Sequence, residues 1–202
     1  TLGRGCFVEK MEETENGYCR VKLANGISGF VPEVALRKRL DSDRFLWGKS
    51  EERFFVEQGI PEGWSEEKFR RKVVECAKGY LGCQYRWGGK AADGIDCSGV
   101  VFMVYLMNGV LIWRDADIRE GYPMKAIWRE GEEMCLVEER AKAGDLLFWR
   151  RHVGMYLEDG RYLHCTGHER VFGCRVNSLR RRDEDFREDL AEALKVVGSV
   201  FS

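Results

Sequence analysis

The stretch Gly94-Ile95-Asp96-Cys97-Ser98-Gly99 constrains this chain more than any other. It sets a cysteine between an aspartate and a serine, brackets them with small turn-forming residues, and runs on through apolar chain to Val110. Asp96 and Ser98 are helix-starting residue types, so the pattern predicts a helix over 97–110 with Cys97 at its N-terminus. A cysteine in apolar chain is most often a small buried hydrophobe. At a helix start, however, unpaired N–H groups and the helix dipole favour the thiolate, the form that attacks carbonyls. A pKa in the range of roughly 3.5 to 7.5 is the expectation there.

A cysteine nucleophile needs a base to take and return its proton, and a third group to orient that base. The chain has three histidines. His152 and His164 stand at the start and end of the strand-like runs HVGMYL and RYLHC, which are joined through Glu158-Asp159-Gly160. An antiparallel hairpin through that turn sets the two imidazoles side by side on one face and makes a Cys/His/His relay. One histidine alone is more often a buried side chain satisfied by backbone; the combination with Asp-Cys-Ser-Gly shifts the balance. His168, beside Glu169, reads as a surface residue, and Cys165 is expected on the face of its strand opposite His164.

The rest of the chain supplies the scaffold. Ser65 can cap a helix whose first turn carries Glu66 and Glu67, with Phe69, Val73, Val74, Ala77, Tyr80 and Leu81 at helical spacing, until Gly79 and Gly82 weaken and stop it. A glycine-rich loop, the Cys97 segment and a long loop to about Ala143 follow. Strand-like runs then come at LLFW, HVGMYL, RYLHC and RVFGCRV. One helix packed on an antiparallel sheet is an α+β plan.

Ahead of this, 6–36 alternates apolar and polar residues, broken by turn signals at Glu15-Asn16-Gly17 and Asn25-Gly26, and reads as small β-hairpins. The segment 41–64 is charged and irregular, with Pro61, Gly48, Gly59 and Gly63, and reads as a connector. The 33 basic and 34 acidic side chains nearly cancel, so charge gives no reason to expect nucleic acid or an anionic membrane as partner. No apolar run approaches the roughly 20 residues of a membrane helix. The eight cysteines form no CxxC pair, so zinc is not expected, and neither is any other metal or cofactor. The start at Thr1 reads as that of a processed or truncated piece, with an export signal lost upstream as one explanation.

Two resemblances sharpen this. Tyr85-Arg86-Trp87-Gly88-Gly89, Asp96-Cys97-Ser98-Gly99, Ala143-Gly144-Asp145-Leu146-Leu147-Phe148 and His152-Val153-Gly154-Met155-Tyr156, with His164 one hairpin later, strongly resemble the NlpC/P60 family of papain-like cysteine peptidases. The resemblance covers about 65–202 and implies a catalytic domain there. It implies Cys97 as nucleophile, His152 as general base and acid, and His164 as orienting group, with Tyr85 at the oxyanion and Trp87 beside it. Tyr18, Val21, Gly26 and Gly29-Phe30-Val31 are similar to a bacterial SH3-like (SH3b) module over 1–40, a small all-β barrel shortened at its front, with Phe30 where tryptophan is usual.

Together with Arg114-Asp115-Ala116, such a module implies likeness to the members that hydrolyse the γ-D-glutamyl to L-diamino acid bond of murein peptides carrying a free N-terminal L-alanine. Asp96, Ser98 and Asp115 then line the substrate pocket, and Ala116 departs from a frequent serine. The expected partner is a murein peptide, in a bacterial cytoplasm that recycles such peptides or in the cell envelope. Three other readings stand beside this one: a CHAP-like amidase, which usually has an acidic residue or asparagine in place of His164; an acyltransferase on the same scaffold; and a non-catalytic wall-binding protein. Arg180-Arg181-Arg182, followed by Asp183-Glu184-Asp185, reads as a self-neutralising solvated turn.

Overall fold

A computed structural model describes residues 2–3, 6–38 and 63–201, and the expected connector over 41–64 lies almost wholly outside the described residues. Ser65 begins helix α1 (Glu66–Lys78) as foreseen, its side chain accepting the Lys68 N–H at 3.1 Å, and Gly79 ends it. The buried stripe is Phe69, Arg70, Val73 and Ala77, whereas Leu81, placed in the core by its spacing, is exposed. Arg70 is the surprise among them. Its guanidinium donates to Asp145 Oδ1 at 2.9 Å and to the Ala143 carbonyl at 3.0 Å, and so ties α1 to the Ala143-Gly144-Asp145 turn. Tyr105 donates to the Gly144 carbonyl from the other side at 2.6 Å.

Helix α2 (Cys97–Met107) is apolar nearly all round because it is covered on both sides, by α1 and by the sheet. That sheet has six antiparallel strands: β6 (Lys125–Arg129), β7 (Leu146–Trp149), β8 (His152–Tyr156), β9 (Arg161–Thr166), β10 (Gly173–Ser178) and β11 (Val196–Ser199), in the order β10-β9-β8-β7-β11-β6. Leu146, Phe148, Val153, Met155, Leu163 and Cys165 point to the α2 side. Leu147, Trp149, Tyr156, Tyr162 and Val197 form a second core on the far face, with helix α3 (Cys135–Arg140) against it. Cys165 therefore faces away from His164, as alternation required. A short hairpin, β4 (Lys90–Ala91) with β5 (Gly94–Ile95), leads into Cys97.

The front segment folds as two linked hairpins, β1 (Glu9–Glu15), β2 (Tyr18–Lys22) and β3 (Ser28–Pro32), with Asn16 and Gly17 both at positive φ in the first turn. Among the described residues this part is a three-stranded sheet, not a closed barrel, and its buried side chains are Cys19 and Val21. Two further expectations are revised. The long loop before Ala143 contains β6 and α3, and β10 begins only at Gly173, so Val171 and Phe172 belong to the loop ahead of it. The Arg180 to Asp185 run does not neutralise itself. Arg180 pairs with Glu138 and Arg181 with Glu188, while Ser178 binds Asp183 and Asp185 and so folds the run back onto the end of β10.

Candidate active site

Cys97 opens α2. Asp96 caps the helix, Oδ1 accepting the Gly99 N–H at 2.6 Å, while Oδ2 accepts the Gly88 N–H at 2.7 Å and fastens the glycine loop to the helix start. The glycines have a steric reason to be there. A Cβ on Gly89 would stand 2.2 Å from the Gly94 carbonyl oxygen, and one on Gly99 would stand 2.3 Å from the Gly89 carbonyl oxygen. Arg114 closes the junction by donating to Ser98 Oγ at 2.6 Å and to the two Asp96 oxygens at 3.2 and 3.3 Å. Asp96 and Ser98 are both buried in this network. The third carboxylate candidate differs: Asp115 is exposed and makes no side-chain hydrogen bond among the described residues.

The Cys97 thiol faces the turn into β8. Sγ lies 4.0 Å from the Arg151 carbonyl oxygen, and the Val153 and Ser98 N–H groups both favour its anion. Burial nevertheless wins: Cys97 is 7% exposed, and desolvation, with the Asp96 charge adding to it, pushes the thiol pKa up rather than down. The helix-start effect expected from sequence is present in the Ser98 N–H and is outweighed. The resting group is the thiol, so ionisation has to be coupled to a proton acceptor.

The next residue along from Arg151 is His152. The β8–β9 register pairs Gly154 with His164, which makes His152 and His164 diagonal neighbours on one face. The hairpin turn has the left-handed pair Asp159 (φ 54) and Gly160 (φ 74) that such a two-residue connection needs. Nε2 of His152 lies 2.7 Å from Nδ1 of His164, and the His152 ring also packs on Trp149, its cross-strand partner, at 5.4 Å between centroids. Burial lowers the pKa of His152 to about 3 and that of His164 to about 4, so both rings are neutral near pH 7. Among the described residues no hydrogen bond joins Sγ to the His152 ring, and Nδ1 of His152 is the nitrogen without a partner.

Tyr85 bridges to Ile95 of β5, and burial and then the charge of Cys97 raise its pKa. Its ring covers Gly167, where a Cβ would come within 2.8 Å of it, and meets Phe172 edge-on at 5.9 Å. Trp87 is 81% exposed on the glycine loop. Sequence reasoning missed Trp149, the clamp made by Arg114, and Asn177, whose Oδ1 lies 3.0 Å from His164 Nε2. An asparagine directly after the strand-like run RVFGCRV, in a place where that residue type is depleted if the strand continues, was the available signal.

A cysteine at a helix start thus stands against an antiparallel sheet that holds a neutral histidine pair. The chain belongs to the NlpC/P60 family, whose model matches residues 82–182. It is 43% identical to Dipeptidyl-peptidase 6 of Lysinibacillus sphaericus over 206 residues, covering 100% of this chain and 64% of that protein. It is 34% identical over 119 residues to a Gamma-D-glutamyl-L-lysine dipeptidyl-peptidase of Bacillus subtilis, covering 54% of this chain and 37% of that protein. The chain thus spans less than two thirds of the length of these curated relatives. A solved NlpC/P60 family protein from Bacillus cereus ATCC 10987 superposes with a TM-score of 0.65 at 20% identity, over 94% of this chain and 52% of that one, a likeness of fold.

Proposed function

We propose that this chain is a cysteine peptidase that hydrolyses the γ-D-glutamyl to L-diamino acid bond of murein peptides, those with a free N-terminal L-alanine in particular. The observation that carries this reading is the 2.7 Å pairing of His152 with His164, which leaves the other nitrogen of His152 to serve a thiol seated against the backbone on either side of it. Sγ of Cys97 attacks the γ-carbonyl carbon while its proton passes to Nδ1 of His152. The Cys97 N–H, the first of its helix and without an intrahelical acceptor, and the Tyr85 hydroxyl receive the oxyanion. His152 then protonates the departing amine, and water, deprotonated by the same ring, hydrolyses the thioester.

The bond is argued from the company the site keeps. A relative named for γ-D-glutamyl-L-lysine shares 34% identity across 119 residues. Of the carboxylates considered, Asp96 is held by Arg114 and two backbone N–H groups, whereas Asp115 is free to take an ammonium. An SH3-like module over 1–40, walling one end of the cleft, fits the approach of Gly3 to the glycine loop, where an added Cβ would meet Ala91 Cβ at 3.7 Å. Exposed Trp87 on the same loop then flanks the peptide.

The test is incubation with L-Ala-γ-D-Glu-diaminopimelate and with its N-acetylated form, followed by mass analysis. The free tripeptide should yield L-Ala-D-Glu and the diamino acid. Acetylation removes the ammonium and adds bulk, so kcat/KM should fall at least about a hundredfold. Equal rates on the two would remove the wall, transfer of the dipeptide to an added amine would mark an acyltransferase, and no cleavage of either peptide would overturn the proposed bond.

A further inference from the structure

Behind the two histidines the hydrogen-bonded chain continues. His164 Nε2 lies 3.0 Å from Asn177 Oδ1, and Asn177, on β10 and 3% exposed, donates its amide Nδ2–H to the Asp185 carbonyl at 2.8 Å. That carbonyl is itself fixed, since it also accepts the Ser178 N–H at 3.2 Å, while Arg187 N–H returns to the Ser178 carbonyl and Ser178 Oγ donates to Asp183 at 2.6 Å.

The donors and acceptors in this chain admit one assignment. A backbone carbonyl accepts only, so the amide must present its NH2 to Asp185 and its oxygen to His164. An amide oxygen also accepts only, so His164 carries its proton on Nε2. Neutral His164 then offers a lone pair at Nδ1, and His152 fills it with a proton on Nε2. The nitrogen of His152 left bare is Nδ1.

From this we infer that Asn177, oriented by the Asp185 carbonyl, is a positioning residue that sets the tautomer of both histidines and thereby keeps the His152 nitrogen meant for the Cys97 proton unprotonated. The run from Arg180 to Asp185 is, in this light, the anchor of the relay. Without the Asn177 oxygen, His164 can carry its proton on Nδ1 and donate it to His152 Nε2, which moves the His152 proton onto the catalytic nitrogen. The inference rests on the proposed thiol chemistry for its consequence in turnover but not for the tautomers themselves.

Long-range 1H–15N correlation spectra of histidine-labelled protein near pH 7 read the tautomers without substrate, and three histidines keep the spectrum assignable. The wild type should show His152 and His164 both protonated at Nε2. Asn177→Leu should shift the pair toward protonation at Nδ1 and lower kcat on the murein tripeptide at least about tenfold with little change in KM, a wrong-tautomer effect. Asn177→Asp, which keeps an oxygen acceptor for His164 but loses the donor to the Asp185 carbonyl, should restore the wild-type tautomers and part of kcat. A wild-type spectrum with His164 protonated at Nδ1 overturns the inference whether or not the leucine variant folds. So does a folded leucine variant with unchanged tautomers and kcat. A protein that cuts no tested peptide yet shows the expected tautomers would count against the proposed function alone.

Discussion

Nε2 of His152 and Nδ1 of His164 share a 2.7 Å hydrogen bond inside a face of the sheet that also holds Trp149 and Tyr162. Burial is the largest cause of depressed basicity at both rings, His152 to about 3 and His164 to about 4. Both values lie below the ordinary histidine pKa of about 6.5. The unfolded chain therefore binds protons at these positions in a range where the folded chain does not. The stability that they contribute is fully present above about pH 6.5 and is lost as pH falls toward 4 and 3, each ring weakening the fold by on the order of 1.4 kcal/mol per pH unit within its window. Thermal melts from pH 7.5 to 4 should show a steep loss of Tm below pH 6. His164→Asn should flatten that slope, and an unchanged slope would remove His164 from the account.

Removing the members of the relay should give unequal losses. Cys97→Ala and His152→Ala remove the proposed nucleophile and its proposed base, steps without substitute, and each should lower kcat by about a millionfold, whereas loss of an orienting third member costs about ten-thousandfold in comparable relays. His164→Gln, which keeps a polar side chain between His152 and Asn177, should sit well above the other two. Single-turnover assays on purified variants of unchanged circular dichroism check the order. Equal losses at all three positions would instead make His164 a structural element of the sheet.

The glycine loop is a steric device, and Gly99 tests it. Its absent Cβ would otherwise stand 2.3 Å from the Gly89 carbonyl oxygen and 2.9 Å from Asp96 Oδ1. Gly99→Ala lies in a helix, where propensity alone favours alanine by about 1 kcal/mol. The clash should reverse that sign, pushing the loop away from the helix and destabilising by about 1 to 3 kcal/mol, the range for overpacking. Denaturant unfolding measures it, and a stabilised Gly99→Ala protein would show that loop and helix are not in contact.

What could be read in advance was whatever short-range rules decide. The Ser65 cap, the Asn16-Gly17 and Asp159-Gly160 turns, the start of α2 at Cys97 and the shared face of His152 and His164 are all local patterns, and all appear in the structure. What escaped was set by distant contacts. Arg70 is charged and sits on the buried stripe because Asp145, far along the chain, meets it there. β6 lacks clean alternation and is held between β11 and the second core, so it read as loop. Asp96 caps α2 as its residue type suggested, but Arg114 engages both it and Ser98, a pairing that no spacing rule announces.

Arg114 also bears on Cys97 itself. The Asp96 charge is among the causes that raise the Cys97 pKa, and the Arg114 guanidinium stands against that carboxylate at 3.2 to 3.3 Å. An arginine so placed offsets the field of Asp96 at the thiol. Arg114→Met should leave the carboxylate uncompensated, raise the thiol pKa further, and move the alkaline limb of Cys97 alkylation to higher pH. Arg114→Lys should move it less, because a cation remains although the fork that also reaches Ser98 is lost. The measurement is the rate of iodoacetamide labelling at Cys97 from pH 6 to 10, read peptide by peptide so that the other thiols do not contribute. A limb at the same pH in wild type and in folded Arg114→Met protein would show that Asp96 acts on Cys97 only as a helix cap.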